Sequence, residues 1–261
     1  TISRRQRQMC IRDSPYCADA NDPDGYGAGP HPMNKLGRLR ISAAIGYLAP
    51  ARLRSNLHIH EQTLVRRLLF SGRRCCGVEV EDTSGEVSQI NGRLVVVCAG
   101  ALMSPSLLLR SGIGPRAELD KLGVDCIADR PGVGKNLSDH PALGVLCDVQ
   151  APAVIDFDQP IIQTILRYTG QNSDKRNDLQ IEQISFAGRP GGPPQFLLAP
   201  VLEYQYGRGE LTLTSADPHA APIVSNQFCE DDRDARRLAE CMLDTLAFTR
   251  TGALADMITG V

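Results

Sequence analysis

The chain contains no tryptophan, and six tyrosines and six phenylalanines are its only aromatic residues. That scarcity argues against a surface built to stack sugar rings. No apolar run approaches the ~20 residues a membrane helix requires, so no membrane span is expected. Lys and Arg number 28 against 30 Asp and Glu, a balance that offers no electrostatic footprint for nucleic acid or an acidic membrane. No Cys-x-x-Cys pair occurs, Cys75 and Cys76 are the one close pair, and the count of nine cysteines is odd. This pattern reads as free thiols in a reducing, cytoplasmic compartment, without a metal framework. Cys98 and Cys241 sit in apolar patterns expected to be core. His58 and His60 alternate along an extended stretch and have no acidic or Cys partner at ligand spacing. Gly-x-Ser-x-Gly is missing, which excludes the nucleophile elbow of an α/β hydrolase. Gly-x-Gly-x-x-Gly is missing too, the loop that seats a pyrophosphate on a helix N-terminus.

What is present reads as a soluble globular protein: 42% apolar and 22% charged residues are ordinary for that class. The opening TISRRQRQMCIRDS, residues 1–14, is basic and has no hydrophobic segment, so it is no signal peptide. It resembles the conceptual translation of a sequencing adapter and is set aside as non-native, with the rest expected to be a piece of a longer protein. Residues 15–37 are rich in Gly, Pro, Asn and Asp and read as a long loop. ISAAIGYLAPA, residues 41–51, reads as a short helix broken at Pro50. NLHIH, TLVRRLLF, CCGVEVED and VSQIN read as extended segments, a small meander that feeds the apolar strand LVVVC, residues 94–98.

Later segments change style. LGVLCDVQ, LQIEQISF, QFLLAPVLEYQ and GELTLTS are strand candidates. PIIQTILRY, residues 160–168, reads as a helix opened by Pro160. EDDRDARRLAECMLDTLAF is an amphipathic helix capped near Asp232, with Ala235, Leu238, Ala239, Met242, Leu243 and Leu246 on its apolar positions. The expected fold combines α/β and α+β parts. Residues 15–140 form a partial nucleotide-binding, Rossmann-like domain with the meander. Residues 141–261 form a second domain, mainly antiparallel sheet with flanking helices.

The most informative stretch is AGALMSPSLLLRSGIG, residues 99–114. LVVVC has no polar alternation, so both its faces should be buried. Ala99, Gly100 and Ala101 leave the strand with almost no side chain, which lets a ligand or another backbone approach. Ser104 is a fitting N-cap and Pro105 a fitting first helical residue. Leu107, Leu108 and Leu109 bury the helix. Gly112 suits a left-handed cap, and Gly114-Pro115 stops continuation. These features give a short helix packed behind a strand end. They permit a cofactor there and do not require one.

Gly100-x-x-x-Ser104-Pro105-x-Leu107-Leu108-x-x-Ser111-Gly112-Ile113-Gly114 resembles the second signature of the glucose-methanol-choline (GMC) oxidoreductases, which are FAD enzymes. PGVGKNLSDHP (131–141), YLAPARLRSNLHI (47–59) and GELTLTSADPHAAPIV (209–224) resemble other segments of the same family, in the family's order. The resemblance covers nearly all of residues 15–261. It implies an enzyme that oxidises a small alcohol: a base takes the hydroxyl proton and a hydride passes to the flavin. The electron acceptor, oxygen or a quinone-type carrier, is not implied. Carried over residue by residue, Val65 contacts the adenine end of FAD through its backbone, and Ala99 and Gly100 lie against the dinucleotide. Asn34 is either near the flavin or a turn former. His140, in Ser138-Asp139-His140, more readily positions a turn than acts as a base, since a relay is assembled from separated positions. The family's catalytic histidine segment has no counterpart in these residues, so no catalytic residue is assigned and the chain by itself is expected to be inactive. PHPMN and NDLQIEQ suggest an alcohol dehydrogenase branch rather than a sugar oxidase. Two other readings stay open: a hydroxynitrile lyase-type member that keeps FAD for structure, and a non-catalytic module.

Overall fold

A computed structural model describes residues 14–150, 160–171, 173–185 and 194–261. In chain order, the strands of three or more residues are β1 (Gly27–Pro30), β2 (Leu64–Ser71), β3 (Arg74–Glu81), β4 (Val87–Asn91), β5 (Val145–Val149), β6 (Ile162–Tyr168), β7 (Leu179–Ile184), β8 (Gln195–Leu202), β9 (Glu210–Thr212), β10 (Ile223–Ser225) and β11 (Ile258–Gly260). The helices are α1 (Gly100–Arg110), α2 (Arg116–Leu122), α3 (Asp232–Phe248) and α4 (Gly252–Met257), preceded by an exposed helical turn over residues 44–51 that contains Pro50.

These elements form two compact units. One gathers the residues up to Arg52, His140–Gly207 and Phe228–Val261; the other joins Leu53–Asp139 to Arg208–Gln227. The units are interleaved in sequence, where a consecutive division at residue 140 is expected. The stretch before Leu53 joins the first unit because β1 pairs with β6, Gly27 opposite Arg167. Part of the expected 15–37 loop is therefore an edge strand, and Pro30 stands at its end, where a missing N–H costs no ladder bond.

The first unit is a six-stranded antiparallel sheet in the order β1-β6-β7-β8-β5-β11. The segment 160–168 is a strand, contrary to the expected helix. Ile161, Ile162, Thr164 and Ile165 are β-branched, stiff at χ1 and suited to a pleated surface. Two neighbouring strands then satisfy its backbone, which outweighs the helix-start signal of Pro160. Period-two alternation sorts β7: Leu179 and Ile181 join Leu166, Phe196, Leu198, Leu202 and the α3 residues Leu238 and Cys241 in one buried cluster. Ala239 and Leu243 of α3 point away from it and are exposed.

The start of α3 is strongly polar. Asp231 caps it, accepting from the Arg233 amide at 2.9 Å, and the Arg233 side chain holds its carboxyl down to about 2. In the second turn, Arg237 Nη1 donates to Asp178 at 2.7 Å and Nη2 to Asp234 at 2.6 Å, with both carboxylates fully buried.

In the second unit, β2, β3 and β4 form the expected antiparallel meander. Leu109, Leu119 and Leu211 make its other small core, behind α1. LVVVC departs from expectation. It forms no strand, and no described strand pairs with it; Leu94 is 81% exposed, Val96 72%, and Cys98 is exposed rather than core. A fully apolar run reports the burial a strand requires, and the sheet neighbours that would supply it are not among the described residues. For the same reason no multi-stranded parallel sheet is present there: the only parallel strand pairing described is the two-residue contact of Ile113–Gly114 with Ala128–Asp129. Eight cysteines among the described residues are all free.

The helix after the run also starts earlier than expected. It begins at Gly100, with Pro105 inside it, and Ser104 Oγ reaches back to accept from the Ala99 amide at 3.0 Å. Ser104 thus satisfies an orphan N–H from within the helix rather than from its cap position. At the other end Gly112 has φ +80°, and a Cβ there would stand 2.3 Å from the Asp125 carbonyl oxygen.

Candidate functional site

The turn from the apolar run into α1 is open. Ala99, Gly100 and Ala101 are exposed. Gly100 has φ +85°, and nothing lies within 4 Å of where a Cβ would stand. The left-handed backbone there needs glycine, and the empty space beside it lets a ligand come against the main chain.

Beside this turn lies a cleft of about 520 Å3. Ala101, Ser104, Pro105 and Leu108 of α1 form one wall, and the loop 132–138 with Leu211 forms the other. The loop is pinned from behind. Leu211 donates its amide to the Gly134 carbonyl at 2.6 Å, and Leu137 and Gly209 exchange amide hydrogen bonds at 2.9 and 2.8 Å. Lys135 Nζ donates to Glu118 at 2.7 Å and to Glu210 at 2.8 Å, and these carboxylates raise its pKa. Two motifs that lie about 30 residues apart thereby face each other across one concavity.

Val65 sits half-buried in β2, opposite Val80. The bonds between β2 and α1 are at the helix's C-terminal end: Leu68 donates its amide to Ser111 Oγ at 2.8 Å, and Arg110 Nε donates to the Arg66 carbonyl at 3.4 Å. Ala99 and Gly100 stand at the opposite end of that helix, some ten residues and ~15 Å of helical rise away. Among the described hydrogen bonds none joins Val65 to either of them. Asn34 braces its own loop: its Nδ2 donates to the Ile41 carbonyl at 2.7 Å.

The first unit holds a second cavity, about 500 Å3, on the sheet face opposite α3. Arg167, Gln180, Glu182 and Glu203 line it from three adjacent strands and their ends, with His31 and His140 from flanking loops. His31 Nε2 is 3.7 Å from Glu182, and His140 Nε2 is 3.7 Å from Glu203. Burial pushes the Glu203 carboxyl up; His140 and Arg167 work against that shift, and Glu182 adds to it. Arg167 Nη1 donates to the Ala20 carbonyl. Sequence reasoning missed this group. Its signal was the alternation of Leu179-Gln180-Ile181-Glu182, which sends polar residues to the face that α3 leaves uncovered.

The sequence model for GMC oxidoreductase matches residues 7–142. The chain belongs to the GMC oxidoreductase family. The match begins inside the terminal segment that the sequence reading sets aside. A GMC-type oxidoreductase of Rhodococcus erythropolis is 36% identical over 245 residues, 90% of this chain and 48% of that protein. The 5-(hydroxymethyl)furfural oxidase of Methylovorus sp. is 36% identical over 234 residues, 84% of this chain and 41% of that protein. The crystal structure of pyridoxine 4-oxidase from Mesorbium loti superposes with a TM-score of 0.86 at 25% identity, covering 97% of this chain and 51% of that one. The chain thus spans about half the length of the relatives it matches. FAD is the cofactor of the GMC oxidoreductases. The residues present suit one side of such a group: a glycine-permitted open turn, an adjoining cleft and a pinned loop. The described residues contain no cluster of His, Cys, Asp or Glu able to hold a metal ion, and no helix long and apolar enough to cross a membrane.

Proposed function

We propose that the protein is an FAD-dependent oxidoreductase that oxidises the CH–OH group of a small alcohol, and that this chain supplies one side of its cofactor cradle and part of its substrate wall. When bound, FAD supplies the acceptor for the hydride. Ala99 and Gly100 border the dinucleotide, the single methyl of one and the missing side chain of the other keeping the α1 turn open. Val65 offers backbone groups from the edge of β2. The observation that carries this reading is the convergence of the Gly100–Gly114 motif and the 132–138 loop on one cleft, beside a glycine whose missing Cβ leaves free space.

The polar cavity of the first unit forms the substrate wall in this reading. Glu182, Glu203, His31 and His140 orient a hydroxylated ligand by hydrogen bonds, and burial, which raises the Glu203 pKa, lets that carboxyl keep its proton to higher pH than an ordinary carboxylate. Relatives named for 5-(hydroxymethyl)furfural and pyridoxine support a small hydroxymethyl-bearing substrate. These residues include neither the glycine-rich phosphate loop nor the family's catalytic histidine, so turnover belongs to the longer protein.

The test uses the full-length protein carrying Ala99→Leu or Gly100→Ala. Flavin content per chain should fall at least several-fold in both, and an alcohol panel under anaerobic conditions should bleach the flavin of the parent. Full flavin content in both variants would remove the cradle assignment. A flavin that no alcohol reduces would favour a non-redox member.

A further inference from the structure

Arg110 ends α1 almost completely buried, at 6% exposure. A buried guanidinium ordinarily has a carboxylate or several carbonyls around it, because an uncompensated charge is costly to remove from water. Arg110 has neither. Its Nε makes one long bond, 3.4 Å, to the Arg66 carbonyl. Its Nη1 is buried with no partner. No carboxylate among the described residues stands within ion-pair distance; Asp217 reaches it only through its field, and burial lowers its pKa. The negative end of α1 offsets part of this charge but gives Nη1 no acceptor.

The same side chain lines a cavity of about 450 Å3 bounded by the ends of β2 and β4 and the segment 124–127. The other polar groups of that wall are committed or neutral, except the Asp125 carboxylate on the segment 124–127. Arg67 is spent on Glu79 through two hydrogen bonds of 3.1 and 2.8 Å. Ser111 Oγ donates to the Leu107 carbonyl and accepts from the Leu68 amide. Gln89 and Asn91 present amide side chains from the exposed strand β4, and Asp125 stands exposed. The wall therefore combines one unspent guanidinium and two amide donors with one exposed carboxylate, Asp125.

We propose that this cavity binds a small oxyanion, a phosphate or carboxylate group, on Arg110, with Gln89 and Asn91 at its rim. The guanidinium fork matches either group with two parallel hydrogen bonds, and Nη1 gains the acceptor it lacks. The site lies apart from the α1 cleft and does not depend on the flavin reading. It would take the acidic head of a free metabolite rather than the cofactor.

The experiment measures thermal unfolding of the full-length protein in rising inorganic phosphate or acetate, with chloride holding ionic strength constant. The expected result is a saturable rise in Tm with at least one of the two, and the comparison distinguishes the phosphate source from the carboxylate source. Arg110→Lys, which keeps the charge and loses the fork, should weaken apparent affinity about tenfold or more. Gln89→Glu, on an exposed strand opposite Glu79, should abolish the rise by placing a further negative charge at the rim, and Gln89→Ala, which adds no charge, should weaken it. A rise that is absent with both anions, or unchanged in Gln89→Glu and Arg110→Lys, overturns the proposal.

Discussion

Replacing Arg237 with Met should be among the most destabilising single changes in the first unit. Arg237 is the sole cation between two carboxylates that are fully buried, Asp178 and Asp234. It also donates to the Tyr204 carbonyl at 2.8 Å and lies 4.8 Å over the Tyr206 ring. Breaking a buried pair by removing one partner costs ~3–5 kcal/mol, mostly the penalty of leaving the other charge uncompensated. Both carboxylates keep other donors. Asp178 still accepts from the Gly170 amide and Ser173 Oγ, and Asp234 from the amides of Tyr206 and Gly207. Those four bonds place the expected loss near the lower figure, about 3 kcal/mol. At roughly 2–4 °C per kcal/mol for a chain of this size, Tm should fall by about 6–12 °C. Circular dichroism melting of the parent, Arg237→Met and the triple change Asp178→Asn/Asp234→Asn/Arg237→Met decides the matter. The triple variant should recover more than half of the loss, because no buried charge then remains. A loss under ~1 kcal/mol in the single variant, or no recovery in the triple, would refute the account of an ion cluster held by mutual compensation.

Further expectations follow from single positions. Gly112→Ala should cost about 1–3 kcal/mol, since φ +80° is strained for alanine and its Cβ would press on a backbone carbonyl that cannot yield; an unchanged Tm would show that the α1 cap relaxes freely. Glu203 predicts a pH dependence. Its folded pKa lies above the unfolded one, so the folded state binds more protons and stability falls as pH rises from the ordinary carboxylate range toward the raised value. Glu203→Gln should flatten that slope in Tm measured across mildly acidic pH, and an identical slope in both proteins would assign it elsewhere. Glu79 runs the opposite way: its hydrogen bonds with Arg67 lower its pKa, so its contribution is present above the usual glutamate value and lost as pH falls below it. Glu79→Gln should therefore reduce the acid-side loss of Tm.

Legibility in the sequence followed how local each signal was. The meander and α3 were readable because alternation and helical spacing are local signals, although the burial they suggest is met only in part: β4 is exposed throughout and Ala239 and Leu243 face away from the core. The α1 stretch was readable as a helix closed at Gly112, but its start was not: a Ser-Pro pair looks like a cap, and only the folded backbone shows Ser104 reaching back to Ala99. In residues 160–168 the helix-start signal of one proline competes with four β-branched residues, and the pairing with β1 and β7 that decides for a strand is non-local. LVVVC misled differently, since its burial depends on neighbours that the described residues do not supply. Of the candidate cleft, residue size made the open turn at Ala99 and Gly100 legible, while their place against a cofactor comes only from the family resemblance. Glu182, Glu203, His31 and His140 were not, because they meet only when three strands and two loops align.

The pairing of β1 with β6 has a temporal side. Gly27 waits for Arg167, 140 positions later in the chain. At ~5–20 residues per second, a ribosome takes roughly 7–28 s to deliver that partner. During this interval the Gly27–Pro30 segment has no ladder to join, and the first unit cannot close before α3 follows. Its glycines and terminal proline make it a poor template for neighbouring chains while it waits. A strand of this composition, too weak to misassociate and held at the edge once paired, suits an element that is synthesised early and needed late.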